Sequence, residues 1–256
     1  MANSVRAALS FLTILPVDEA DLESVGRAAF LFPLVGLLLG AISGTVLWLT
    51  SFVLPQPLSA LLALVVLQVL TGLHHLDGLL DFSDAVMVVG PPEKKRAALR
   101  DQRRGTAAIF SGVASIALAW SALCSFSGFA SLQALIASEV AAKLSMVFSA
   151  YIGKPVDQGL GSMFIKTARN SYNLPAAILL ALLPLVVSGF VTIAALVAAL
   201  ICASLLVAYS NKAFGGVTGD VFGAINELSR IASLVVLAAL MPITSLWLPI
   251  QQFLAG

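Results

Sequence analysis

Apolar blocks of about 20 residues, set apart by short turns, are the feature that most constrains this chain. A block of that length coiled as an α-helix spans the hydrocarbon core of a bilayer. The blocks cover about residues 28–54, 58–73, 106–126, 132–152, 174–187, 191–209 and 231–250. A membrane β-barrel would need alternation over segments of about ten residues instead. Composition agrees: 59% of the 256 residues are hydrophobic and 11% are charged, against roughly a quarter charged in soluble domains. The prediction is an all-α fold, a polytopic integral membrane helix bundle with about seven transmembrane helices, in one domain over residues 1–256. Gly36, Gly40 and Gly44 form a small-residue stripe in the first span, which reads as a close helix–helix contact. Cys124 and Cys202 both lie in apolar blocks and read as small buried hydrophobes, not as a disulfide. Residues 5–16 are too short to span and are expected in the interface or packed under the bundle. The N-terminus lacks a signal-peptide pattern.

The charges assign the two faces. Arg6 and Arg27 precede the first span. Lys94, Lys95, Arg96, Arg100, Arg103 and Arg104 lie between the second and third, and Lys154, Lys166 and Arg169 between the fourth and fifth. Lys212 and Arg230 bound a third polar loop, 211–230, between the sixth and seventh. Every basic residue except Lys143 thus falls on one face, and the turns at 55–57, 127–131 and 188–190 carry no charge. Basic loops stay in the cytoplasm. The expected location is therefore the cell membrane, multi-pass, with an active site at the cytoplasmic rim.

That rim carries His74-His75-Leu76-Asp77-Gly78-Leu79-Leu80-Asp81-Phe82-Ser83-Asp84. Asp77, Asp81 and Asp84 are spaced by four and three, which puts three carboxylates along one helix face. They stay ionised together when a cation sits among them. A hard, oxygen-loving cation such as Mg²⁺ fits, shared with a substrate phosphate. The plainer reading is a solvated acidic helix start, but the flanking Leu76, Leu79, Leu80 and Phe82 make this a membrane-edge helix. His75 is a candidate general base, phosphate donor or helix cap. The run from Lys94 to Arg96 reads as an anchor for anionic membrane lipid. Asp101-Gln102-Arg103-Arg104-Gly105 is a tighter unit, with arginine forks suited to phosphate. Glu139 and Lys143, four apart inside a span, are either functional or a mutually neutralising pair. The glycine loops Gly159-Leu160-Gly161 and Gly215-Gly216-Val217-Thr218-Gly219-Asp220 have Lys166, Arg169 and Asp220 as phosphate or metal partners.

Taken together, these pieces resemble the cobalamin synthase (adenosylcobinamide-GDP ribazoletransferase) family over nearly the whole length. The resemblance rests on Ala8-Leu9-Ser10-Phe11-Leu12-Thr13-Ile14-Leu15-Pro16, Phe32-Pro33-Leu34-Val35-Gly36, the His75–Asp84 motif, Asp101–Thr106 and the two glycine motifs. Ala85 stands where that family usually has glycine, Leu80 where alanine is common and Lys143 where arginine is expected. The resemblance implies transfer of the adenosylcobinamide-phosphate group of adenosylcobinamide-GDP to α-ribazole or its 5′-phosphate, with GMP released. It implies Asp77 and Asp81 holding Mg²⁺, with Asp84 sharing the metal or taking the hydroxyl proton. Arg103 would steady the leaving group, with Arg104, Gly105, Lys166, Arg169 and Gly219 about the phosphates. Asp220 would complete a second metal or orient the ribazole.

A CDP-alcohol phosphotransferase is the alternative enzyme, but Asp81-Phe82 occupies the Ala-Arg position of that motif. A prenyltransferase would need a second acidic motif, and a transporter would show inverted repeats. No nucleic-acid partner is expected. The oligomeric state stays open, with a homo-oligomer among the options.

Overall fold

The computed structural model describes residues 2–101, 103–156 and 159–240. Thirteen α-helices and no strand occur among the described residues. The N-terminal helices are α1 (Ala2–Leu12) and α2 (Leu22–Arg27), followed by a 3₁₀ turn, Ala29–Leu31, that runs into α3 (Phe32–Thr50). Next come α4 (Gln56–Leu70), α5 (His74–Met87), α6 (Pro92–Leu99) and α7 (Thr106–Leu123). The second half holds α8 (Phe129–Ile152), α9 (Leu160–Ala168), α10 (Asn173–Ala181), α11 (Leu185–Ser188), α12 (Val191–Ala213) and α13 (Gly219–Leu240).

Five helical segments are long and apolar enough to cross a membrane: Ala29–Thr50, α7, α8, α12 and α13. Two bent pairs bring the number to seven if each counts as one span. In the first, α4 and α5 meet at 91°. The predicted block 58–73 therefore ends early, at Leu70. Gly72 and Leu73 both take φ near 61°, the left-handed region, and the chain turns there. In the second pair, α9 meets the segment Asn173–Ser188 at 90°, and that segment is itself divided at Pro184. The outer surface carries large exposed side chains such as Ile193, Val197, Ile201 and Leu205, one every four residues on α12. A soluble protein would not present such a stripe to water; here it is a lipid-facing surface.

Helix α8 is the axis of the bundle, with 83% of its span buried against α3, α12 and α13. The glycine stripe of α3 explains how closely it lies. A Cβ on Gly40 would stand 2.6 Å from Leu135 O, and one on Gly44 2.9 Å from Leu132 Cα. Residues 5–16 pack on the bundle: Ala7, Ala8 and Leu12 are buried, and Phe11 stacks on Phe32 and Phe164 at 5.9 and 6.0 Å. Asp21 caps α2 by accepting from Ser24 N at 2.8 Å, which holds its carboxyl below the usual range. Both cysteines are free.

The largest departure from the sequence reading is the end of the sixth span and the start of the seventh. Asn211 and Lys212 belong to α12, and α13 begins at Gly219, twelve residues before the predicted span. The rest of that predicted block, 241–250, lies outside the described residues. Arg230 is therefore not on the charged rim. It is 1% exposed and bonded to two carboxylates, Glu139 on α8 and Glu227 on its own helix, the latter by bonds of 2.7 and 2.8 Å. Lys143 donates to Glu139 at 3.3 Å and to Asn226 at 2.7 Å, and Gln68 of α4 donates to Glu227 at 3.0 Å. Two acids and two bases make this buried set neutral. It joins α4, α8 and α13, which is how four charges are tolerated inside the bundle.

Candidate active site

Three connections meet at one end of the bundle. Lys154 N donates to Asn211 Oδ1 at 3.0 Å, Val217 N donates to Lys154 O at 2.8 Å, and Arg96 Nη1 reaches Phe214 O at 2.8 Å. The polar segments after α5, α8 and α12 are thereby tied together. Helix α5 lies among them, packed along α13. The two helices cross at glycines. A Cβ on Gly78 would stand 2.9 Å from Asp220 O, and one on Gly223 would stand 2.9 Å from His75 O and 3.1 Å from Gly78 Cα. Asp77 and Asp220 flank this crossing, the first in the opening turn of α5 and the second in that of α13.

Asp77 and Asp81 are one helical turn apart, and both bond Arg104. One guanidinium nitrogen meets Asp81 Oδ1 and the other meets Asp77 Oδ1. The single positive charge of the fork offsets the repulsion between two like charges and leaves the trio with a net charge of −1. Asp84 does something different. It accepts from Gly105 N at 2.6 Å and Ala108 N at 2.9 Å, capping α7 from outside. Gly105 has no side chain with which to cap its own helix, and a Cβ there would stand 2.6 Å from Asp84 Oδ1. Asp84 thus sets the start of α7, and so the position of Arg104 just before it.

The expectation of three carboxylates around one metal is revised accordingly. Among the described residues, no three His, Cys, Asp or Glu side chains gather closely enough to hold a metal. Two carboxylates do converge, since Asp77 and Asp81 already share one cation, Arg104. That pair fits Mg²⁺, which is usually held by one or two carboxylates together with substrate phosphates.

Two cavities adjoin Asp220 and share Leu160, Gly161, Gly219 and Asp220 as a common wall. The smaller, about 180 Å³, is a groove between Arg96 and Arg100 on one side and the glycine loops on the other. A Cβ on Gly161 would stand 2.6 Å from the Thr218 carbonyl carbon, so the loops touch. The larger, about 460 Å³, is bounded by Asp77, His75, Phe11, Phe164 and Phe222. His75 is buried, and Asp220 accepts from Thr218 Oγ1 at 3.4 Å.

The family model for cobalamin-5-phosphate synthase matches residues 4–238. The chain belongs to that family. Curated relatives named adenosylcobinamide-GDP ribazoletransferase extend over most of it. The protein from Pyrobaculum calidifontis is 40% identical, with 90% of this chain and 97% of the relative covered. The one from Methanocella arvoryzae is 31% identical over 94% and 97%, and the one from Methanococcoides burtonii 33% identical over 91% and 91%. No solved structure matches.

Within this family frame, the structure sorts the predicted site residues. Asp77, Asp81, Arg104, Gly219, Asp220 and His75 come together. Arg103 is exposed beside Arg104, its backbone N donating to Asp101 Oδ1 at 3.0 Å. Gln102 lies outside the described residues. Lys166 is exposed and lines neither cavity. Arg169 lines neither cavity and donates to Ala150 O at 2.7 Å and to Gly153 O, at the C-terminal end of α8. Sequence reasoning missed Arg96 and Arg100 as groove residues, because a basic run next to a membrane span reads first as an anchor. The position of Arg96 opposite the glycine loops comes from a tertiary bond to Phe214, which no local pattern signals.

Proposed function

We propose that this protein transfers the adenosylcobinamide-phosphate group of adenosylcobinamide-GDP to α-ribazole or its 5′-phosphate and releases GMP. The observation that carries the reading is the meeting of Asp77 and Asp81 on the guanidinium of Arg104, beside Asp220, at the crossing of α5 and α13. Phosphoryl transfer needs little covalent chemistry from the protein, only placement and charge stabilisation. The Arg96–Arg100 groove, closed by glycine backbone, suits the guanine nucleotide end. Asp77 and Asp81 would hold Mg²⁺, whose contribution is to neutralise pyrophosphate charge.

Arg104 then serves two partners in turn. Without substrate it bridges the two acids; with substrate it turns its fork to the pyrophosphate. A ribazole hydroxyl attacks the phosphorus nearer the corrinoid. The new P–O bond forms as the P–O bond to GMP breaks, and the hydroxyl proton passes to Asp220. Asp84, with both oxygens on α7 amides, is a positioning residue in this scheme.

The basic residues at the site's end of the bundle support a cell-membrane protein with this end in the cytoplasm, where Lys94 and Lys95 meet anionic lipid. The test is GMP release by the detergent-purified protein. Release from adenosylcobinamide-GDP is expected only when α-ribazole is present. Release without acceptor, or none with it, would refute the reading.

A further inference from the structure

A cavity of about 760 Å³ opens on the outer surface where α5 and α7 meet over α13. Asp77, Asp81 and Arg104 do not line it. Its walls are apolar and face outward: Met87 is 70% exposed, Phe110 73% and Leu118 51%, with Leu228 and Ile231 of α13 behind them. It is therefore a groove in the lipid-facing surface. It follows α7 from Thr106 to Leu118, which at 1.5 Å per residue is roughly 18 Å. The hydrocarbon of a single leaflet is about 15 Å deep, so an acyl chain matches the groove in length. The bonds from Asp84 to Gly105 N and Ala108 N place the last turns of α5 beside the start of α7, at the rim end of the groove. That end is basic. Lys95 Nζ donates at 3.5 Å to the carbonyl of Val86, a lining residue, and Lys94 Nζ donates at 3.2 Å to Val89 O. The plainer role of these bonds is to cap the C-terminal carbonyls of α5. An ammonium has three N–H donors, however, and can serve a phosphate beside Val86 as well. The acid at that end, Asp84, is engaged with the two α7 amides.

We propose that this groove holds an acyl chain of one anionic phospholipid, from the leaflet at the site's end of the bundle, with the lipid phosphate beside Lys95. The groove supplies the length and the apolar wall, and the lysine selects an anionic head over a zwitterionic one. This is more specific than a basic patch resting on a charged surface, because the chain-shaped seam admits one lipid at one place. A second copy of the protein is the other apolar occupant such a seam could take. It would have to bring an acid to Lys95, and α7, the exposed helix of the seam, has none to offer.

The test uses the full chain, stripped of lipid in detergent, with phosphatidylglycerol or phosphatidylcholine of the same acyl chains added back and binding read by native mass spectrometry. One phosphatidylglycerol per chain is expected to bind first, with phosphatidylcholine about fivefold weaker. Lys95→Gln keeps a donor for Val86 O and removes the cation, so it should erase that preference. Ala114→Phe fills a half-buried wall position and should weaken both lipids alike, with the unfolding temperature of the lipid-free protein unchanged. Equal binding of the two lipids by the wild type would overturn the site, and this arm needs no variant to fold. So would a preference that survives Lys95→Gln, or wild-type binding by a folded Ala114→Phe protein. A Phe110→Cys variant that cross-links to a second chain in the presence of either lipid would give the groove to another copy instead. Binding is read directly, so these outcomes stand whether or not the protein releases GMP.

Discussion

Gly78 and Gly223 meet backbone to backbone, and that contact aligns the acids of α5 with the first turn of α13. A methyl group on Gly78 would lie 2.9 Å from Asp220 O and 3.1 Å from Asp220 Cα, and backbone cannot step aside cheaply. Gly78→Ala is expected to cost about 1–3 kcal/mol through overpacking. Because the displaced atoms belong to Asp220, GMP release should fall further than the loss of stability accounts for. Thermal unfolding in detergent beside a turnover assay separates the two. Full activity with unchanged stability would show that the helices do not cross this closely.

Arg104 is the cation that Asp77 and Asp81 share. Arg104→Lys keeps the charge and loses the fork, and turnover is expected to drop about tenfold or more. Arg104→Ala should cost roughly a hundredfold, on the order of 3 kcal/mol of transition-state stabilisation. The comparison of kcat/KM between Lys and Ala reads out the value of two-pronged contact over bare charge. Equal losses would mean that the fork is not used.

The acids of α5 divide into two kinds, and the division is measurable. Asp77→Asn and Asp81→Asn should raise the Mg²⁺ concentration needed for half-maximal GMP release. Asp84→Ala should leave that requirement unchanged and lower stability by about 0.5–2 kcal/mol through loss of the α7 cap. Chelation of divalent ions should stop turnover in the wild type. A Mg²⁺ titration of the Asp84→Ala protein that shifts like that of Asp81→Asn would make Asp84 a ligand after all.

Arg230 holds two buried carboxylates. Arg230→Met would leave Glu139 with Lys143 alone and Glu227 with no cation, at a cost of about 3–5 kcal/mol as for other broken buried ion pairs. The expected result is poor yield of folded protein and a sharply lowered unfolding temperature. Replacing Arg230 and Glu227 together by apolar or amide residues leaves Glu139 paired with Lys143 and should recover most of that loss. Failure of the double variant to exceed the single one would argue against charge pairing as the cause.

Much of this was visible in the amino-acid sequence. Hydropathy blocks gave the helical bundle because lipid leaves the backbone almost no other choice. Spacing gave one helix face with Asp77, Asp81 and Asp84 on it. Spacing could not show that Asp84 bonds α7 amides, since that depends on a helix start 21 residues away. It also could not distinguish Arg103 from Arg104, adjacent residues of the same chemistry of which one points to the acids. The start of α13 was misplaced because Asn226, Glu227 and Arg230 look like loop residues until their partners on α4 and α8 are known. One local hint existed: Glu227 and Arg230 are three apart, a helical pairing distance. The predicted pair Glu139 and Lys143 was half of a larger set for the same reason.

The turn at Gly72 and Leu73 has a consequence for traffic. Because α5 leaves α4 at 91°, Asp77 stands at the end of the bundle, with its side chain 58% exposed. A reactant too bulky for any interior passage can dock from the aqueous side with only its phosphates reaching the acids.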